Sequence, residues 1–237
     1  MIDRKLLKRL IMPARRIRGR LAMSVGRIRS ANPLCRGFGY SRGTPIDRYY
    51  IERFLQAHSA DIRGHVLEIG DDSYSRRFGG TNVTKQDVLH VQGDEQQATI
   101  VGDLSEPGVL PKATFDCIIL TQTLHLIFDP GAALKQVHDA LRPGGVALIT
   151  VPGVSSIDRG EWHQSWYWSF TGAALKRLLA QIFRPDAIEV STHGNLFAAT
   201  AFLHGAAVEE VSQGRLDRVD TTYPVTVAAR AVAKGDD

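Results

Sequence analysis

The run His65-Val66-Leu67-Glu68-Ile69-Gly70 constrains the fold of this chain more than any other stretch. Val66, Leu67 and Ile69 make it apolar enough for a short buried parallel strand. Gly70 marks a turn at which the backbone comes close to something. A dinucleotide-binding turn would continue Gly-x-Gly-x-x-Gly, whereas Asp71, Asp72, Ser73 and Tyr74 follow here. Two carboxylates at that turn repel a pyrophosphate, which disfavours NAD or FAD; a cationic, amine-bearing ligand meets no such objection.

Further strands are expected from residue 83 to near Asp87, over 98–101, and over 115–120, the last nearly all apolar and so buried on both faces. Asp129-Pro130 caps a helix with Leu134, Val137 and Leu141 on its inner face, ending at Arg142-Pro143-Gly144-Gly145. A fifth strand follows over 146–151. Leu175, Leu178, Leu179, Ile182 and Phe183 keep helical spacing. Residues 187–192 and 223–232 read as closing strands around an extra helix at 196–213. The expected class is α/β, a doubly wound, mostly parallel sheet of seven strands.

With 237 residues, 43% of them hydrophobic, the chain buries a full core. No apolar run approaches the roughly 20 residues of a membrane span. Cys35 and Cys117 lack metal-ligand spacing, so neither a metal site nor a disulfide is expected, and a reducing cytoplasmic setting fits.

The net charge of +4 hides an asymmetry. Residues 1–43 carry twelve Lys/Arg and one acid, while the remainder carries seventeen against twenty-four. A basic, helical N-terminal arm (1–43) is therefore joined to an acidic domain (44–237). Contact of residues 1–30 with an anionic membrane, on its cytoplasmic side, or with nucleic acid, is one reading of the arm; a solubilising or self-packing helix is the other. Thr44-Pro45-Ile46-Asp47 signals the start of a helix running through Tyr49, Tyr50, Ile51, Phe54 and Leu55. The preceding Gly39, Tyr40, Arg42 and Gly43 form either a lid over a site or a plain linker.

Taken together, Val66 to Gly70, Asp87, Gly102-Asp103-Leu104, Phe115-Asp116 and Leu141 to Gly145 fall in one register. In order and spacing they resemble class I S-adenosylmethionine-dependent methyltransferases, most closely the type 11 domain, over about residues 62–153. The glycine loop departs from that family, with Asp72 and Tyr74 where further glycines are usual. The resemblance implies S-adenosyl-L-methionine as cofactor. Gly70 would let the backbone approach its methionine part, with Glu68 orienting the loop or the amino group. Asp87 would hold the ribose hydroxyls, Asp103 the adenine amino group, and Leu104 the ring face. Thr121, with Gln122 and Thr123, would face Gly70 where the methyl sits.

A hydroxyl acceptor needs its proton removed, and His125 and His163 are the candidate bases. The segment holding Trp162, His163, Trp166, Tyr167 and Trp168 suits an acceptor wall or, equally, packing against the sheet. The function expected is methyl transfer to a small molecule, with a glycan-related hydroxyl in view. A non-catalytic scaffold of the same fold is the alternative. A nucleic-acid methyltransferase is disfavoured, because no Asn/Asp-Pro-Pro-aromatic motif follows the fourth strand.

Overall fold

Apolar runs set the strands, and the polar punctuation between them sets the order in which they stack. The computed structural model describes residues 31–92 and 98–234. The helices expected within residues 1–30 lie outside the described residues. Seven strands are present: β1 (Gly64–Ile69), β2 (Val83–His90), β3 (Ile100–Val101), β4 (Phe115–Thr121), β5 (Leu141–Pro152), β6 (Ile188–His193) and β7 (Thr226–Val232). They form one sheet in the order β3-β2-β1-β4-β5-β7-β6. All pairings are parallel except those of β7, which runs antiparallel to both β5 and β6. The α/β, mostly parallel expectation therefore holds.

Among the described residues five α-helices accompany the sheet: α1 (Ile46–Ala57), α2 (Pro130–Ala140), α3 (Gly172–Leu179), α4 (Leu196–Leu203) and α5 (Gln213–Leu216). Alternation along each strand divides the core. Leu67, Ile118, Leu120 and Ile149 pack with Leu134 and Val137 of α2 and Leu175 and Leu179 of α3. Val66, Cys117, Ile119 and Leu148 face Ile51, Phe54 and Leu55 of α1. Each fully buried side chain of this kind contributes about 1.5–3 kcal/mol, so both faces are needed.

Asp129 caps α2 as expected, its Oδ1 accepting from Ala132 N at 3.0 Å. Thr44 does not cap α1. Its backbone N–H and its hydroxyl both donate to the Glu209 carboxylate, at 3.0 and 2.9 Å. The single helix expected at 196–213 is three pieces, because Gly205 takes a positive φ of 67° and its Cα lies against the Cys35 carbonyl. No side chain fits there, and α4 stops. The strand after α2 begins at Leu141 instead of Val146, with a register shift opposite Phe115 and Cys117.

Residues 31–43 lie on the domain. Leu34 N donates to His204 O at 2.7 Å, and Phe38 stacks on Trp166 and Phe202. Arg42 grips Glu210, a fully buried carboxylate, with both Nε and Nη2.

Candidate active site

In a parallel sheet, ligands bind beyond the carboxyl ends of the strands, at the point where strand order reverses. Here that point lies between β1 and β4, and a cavity of about 960 Å³ opens there. This is the upper end of the roughly 300–1,000 Å³ of small-molecule sites, with room for a cofactor and an acceptor.

Gly70 closes β1 at φ 92°, donates its N–H to Leu89 O at 3.0 Å and lines the cavity. A Cβ built there meets no atom within 4 Å, so the position opens onto the cavity. Ile69, Leu89 and Leu104 supply apolar wall around it. Asp103 lines the same cavity, its Oδ1 accepting from Ser105 N and Oγ at 2.8 and 2.7 Å. Across from Gly70, Thr121 and Gln122 leave β4 into the cavity, Gln122 in a left-handed conformation (φ 48°). A backbone and donor set of this kind fits S-adenosylmethionine: an open glycine beside apolar wall, with a carboxylate at the tip of β3.

Glu68 is buried, and its carboxylate accepts from Tyr74 N at 3.1 Å and Ser75 N at 2.8 Å. It anchors the turn from behind and does not line the cavity, which is the loop-orienting one of its two expected roles. Burial pushes its carboxyl up to about 7, against the pull of those two amides. A carboxyl that holds its proton more tightly when folded adds stability in acid and loses it as pH rises from about 4.5 to about 7. Urea unfolding should show a loss of about 2–3 kcal/mol from this group across that window. Glu68→Gln should flatten that slope, and an unchanged slope in the variant would contradict the assignment.

The loop carboxylates do not obstruct the site. Asp71 caps Ser73 N at 2.8 Å and Asp72 pairs with Arg76 at 2.6 Å; neither lines the cavity. The altered glycine loop is thus satisfied within itself.

Asp87 needs correction. β2 continues to His90, so Asp87 sits mid-strand opposite Leu67, and its Oδ2 lies 2.6 Å from His65 Nε2. Burial opposes ionisation, yet bonds from His65 and Thr99 and the charge of Lys85 hold its carboxyl below the ordinary range. It clamps β2 to β1, and the cavity wall at the tip of β2 is instead Leu89, His90 and Val91.

His125 does line the cavity. It is 2% exposed, and neither ring nitrogen has a partner among the described residues. Burial pushes the ring down to about 4, so it is neutral at pH 7. Its carbonyl accepts from Tyr167 N and Trp168 N at 3.0 and 3.2 Å, and its ring meets Trp166 edge-on at 4.3 Å. Trp162, Trp166 and Tyr167 accordingly face the cavity. Trp168 is just outside, its Nε1 donating to Ile127 O at 3.0 Å. His163 also needs correction: it is exposed, its Nδ1 sits 2.9 Å from Asp158 O, and it borders a separate hollow with Cys35, Arg36 and Arg159.

Sequence reasoning missed Asp47, Arg48 and Phe38, all on the cavity wall, whereas Gln122 lies there as expected. The signal for the first two was α1 itself. A helix that leads into β1 and packs back along the sheet brings its first turn to the carboxyl end of the strands.

Comparison with known proteins agrees with this geometry. A family model described as a methyltransferase domain matches residues 31–204. The fold is similar to that of an S-adenosylmethionine-dependent methyltransferase from Archaeoglobus fulgidus, at 12% identity and TM-score 0.52, covering 78% of this chain and 94% of that one. It is similar too to a methyltransferase with the same cofactor from Mesorhizobium loti, at 16% identity and TM-score 0.52, covering 79% and 99%. The cyclase SpnF also shares it, at 13% identity and TM-score 0.51, covering 94% of each chain. No curated protein matches the sequence significantly. With more than half of its length matched, the chain belongs to the methyltransferase domain family.

Proposed function

We propose that this protein transfers the methyl group of S-adenosylmethionine to a hydroxyl of a small-molecule acceptor, of the glycan-related kind. The observation that carries this reading is a pair of unsatisfied polar groups on the cavity wall: both ring nitrogens of buried His125, and the buried Nε2 of Gln122. A buried donor or acceptor left unpaired costs about 1–3 kcal/mol, so the arrangement favours a ligand that fills it. A hydroxyl donates to the bare ring nitrogen while its lone pairs accept from Gln122. An ammonium has no lone pair for the amide.

When bound, the cofactor supplies an electrophilic methyl on a sulfonium centre. Gly70, Asp103 and Leu104 hold and orient it. His125 directs the hydroxyl and receives its proton at a ring nitrogen; neutral above about pH 4, the ring is free to accept it at physiological pH. Phe38, Trp162 and Trp166 exclude water from the transfer. A cavity closed by residues 37–40 suits a small acceptor better than a polynucleotide.

The test supplies methyl-labelled cofactor with panels of sugars, phenols and amines, read by mass. Methylation of an oxygen is expected, and Trp166→Ala should lower turnover at least about tenfold with cofactor affinity near wild type. Methylation of amines alone would remove the hydroxyl reading. Loss of folding and cofactor binding together in Trp166→Ala would make the aromatic wall core packing.

The arm belongs to the same proposal. No helix among the described residues is long and apolar enough to cross a membrane. Residues 1–30 carry ten Lys/Arg and one acid. They are expected to confer salt-sensitive binding to anionic vesicles, up to about 1 kcal/mol per basic residue at the surface. Equal vesicle binding after their removal would end this reading, and stronger binding to RNA would favour nucleic acid.

A further inference from the structure

Asp47 and Arg48 bring two opposite charges to the cavity wall, and among the described residues no ion pair joins either to a partner. Both belong to the first turn of α1 and line the cavity with Gly70. Asp47 Oδ1 accepts only the backbone N–H of Arg48, at 2.9 Å. The Arg48 guanidinium donates to two phenols, Tyr40 Oη at 3.2 Å and Tyr74 Oη at 3.0 Å. Among the described residues neither side chain forms an ion pair. A half-buried arginine held by neutral oxygens has no anion bonded to it, and a half-buried carboxylate on the cavity wall has no cation bonded to it. Burial pushes the Asp47 carboxyl up, against the pull of the neighbouring Arg48 charge.

The place of the pair follows from Tyr74. It lies on the turn that leaves Gly70, whose amides at Tyr74 and Ser75 are tied to Glu68. Its hydroxyl therefore ties Arg48 to the turn that follows the open glycine. A ligand matching two opposite charges, neither of them in an ion pair, near a close-approach turn is a zwitterion with an ammonium and a carboxylate on one carbon.

We propose that Asp47 and Arg48 form a clamp for the amino-acid end of the cofactor, Asp47 taking the α-ammonium and Arg48 the α-carboxylate. This rests on the cofactor assignment above and not on the identity of the acceptor. The clamp takes over the hold on the methionine end that additional loop glycines would otherwise share, which accounts for a turn carrying Asp72 and Tyr74 in their place.

Two ligands separate this from general cofactor binding. S-adenosylhomocysteine carries the amino-acid end; 5′-methylthioadenosine keeps the adenosine and the sulfur and lacks it. Calorimetry on the full chain is expected to show that Asp47→Asn and Arg48→Gln each weaken S-adenosylhomocysteine at least about tenfold while leaving methylthioadenosine unchanged. Should Arg48→Gln unfold for want of its phenol bonds, the near-isosteric Asp47→Asn decides alone. Unchanged S-adenosylhomocysteine affinity in Asp47→Asn, or equal losses for both ligands, would overturn the clamp and leave the methyltransferase reading standing. Failure of the wild type to bind S-adenosylhomocysteine at all would overturn both.

Discussion

Arg42→Ala is expected to destabilise the protein by about 3–5 kcal/mol, because it strands Glu210 as an uncompensated charge in the interior. Glu210 has no exposed side-chain surface, and among the described residues it also accepts from the Ala207 N–H at 3.0 Å. Arg42 meets it with a two-pronged grip that lysine, a point charge, cannot reproduce. Arg42→Lys should therefore recover only part of the loss. Glu210→Gln added to Arg42→Ala should restore stability, since it removes the stranded charge. Denaturant unfolding of the three variants measures this, and a loss under about 1 kcal/mol for Arg42→Ala would show that the charge finds water or another partner. The consequence reaches the site. The ion pair closes the segment that carries Phe38 and Tyr40, so cavity wall is lost before the sheet unfolds.

Gly70→Ala is the second large effect, and it falls on binding more than on folding. At φ 92° any L-residue is strained, costing about 1–2 kcal/mol. The new methyl group meets no protein atom, so nothing else in the fold resists it. It projects into the space the cofactor is to occupy. Cofactor affinity should fall by about a hundredfold or more, nearly 3 kcal/mol, while the domain still melts cooperatively. Retained affinity in Gly70→Ala would place the cofactor elsewhere in the cavity.

What the sequence made legible was what local physics decides. A buried run into glycine announced β1 and Gly70, and Asp129-Pro130 announced α2 together with its cap. Asp103, Leu104, Thr121 and His125 reached the cavity because each directly follows a strand whose end was readable. Asp87 was misplaced because polar residues at 84–87 suggested a strand already finished. Its carboxylate is in fact satisfied across the sheet by His65, a partner distant in sequence. His163 and the broken helix near Gly205 failed for a related reason. Loop direction and the close approach of Cys35 are tertiary facts with no periodicity to betray them. Asp47 was read as a helix-start acid, and only the packing direction of α1 shows that its carboxylate faces the cavity.

The central claim is that this cavity holds S-adenosylmethionine despite its altered glycine turn. Titration calorimetry of S-adenosylhomocysteine into the full chain tests it before any acceptor is known. The account predicts saturable binding at one site, with a dissociation constant in the micromolar range, about 7–8 kcal/mol. No measurable heat at millimolar ligand, with the protein folded, would contradict it.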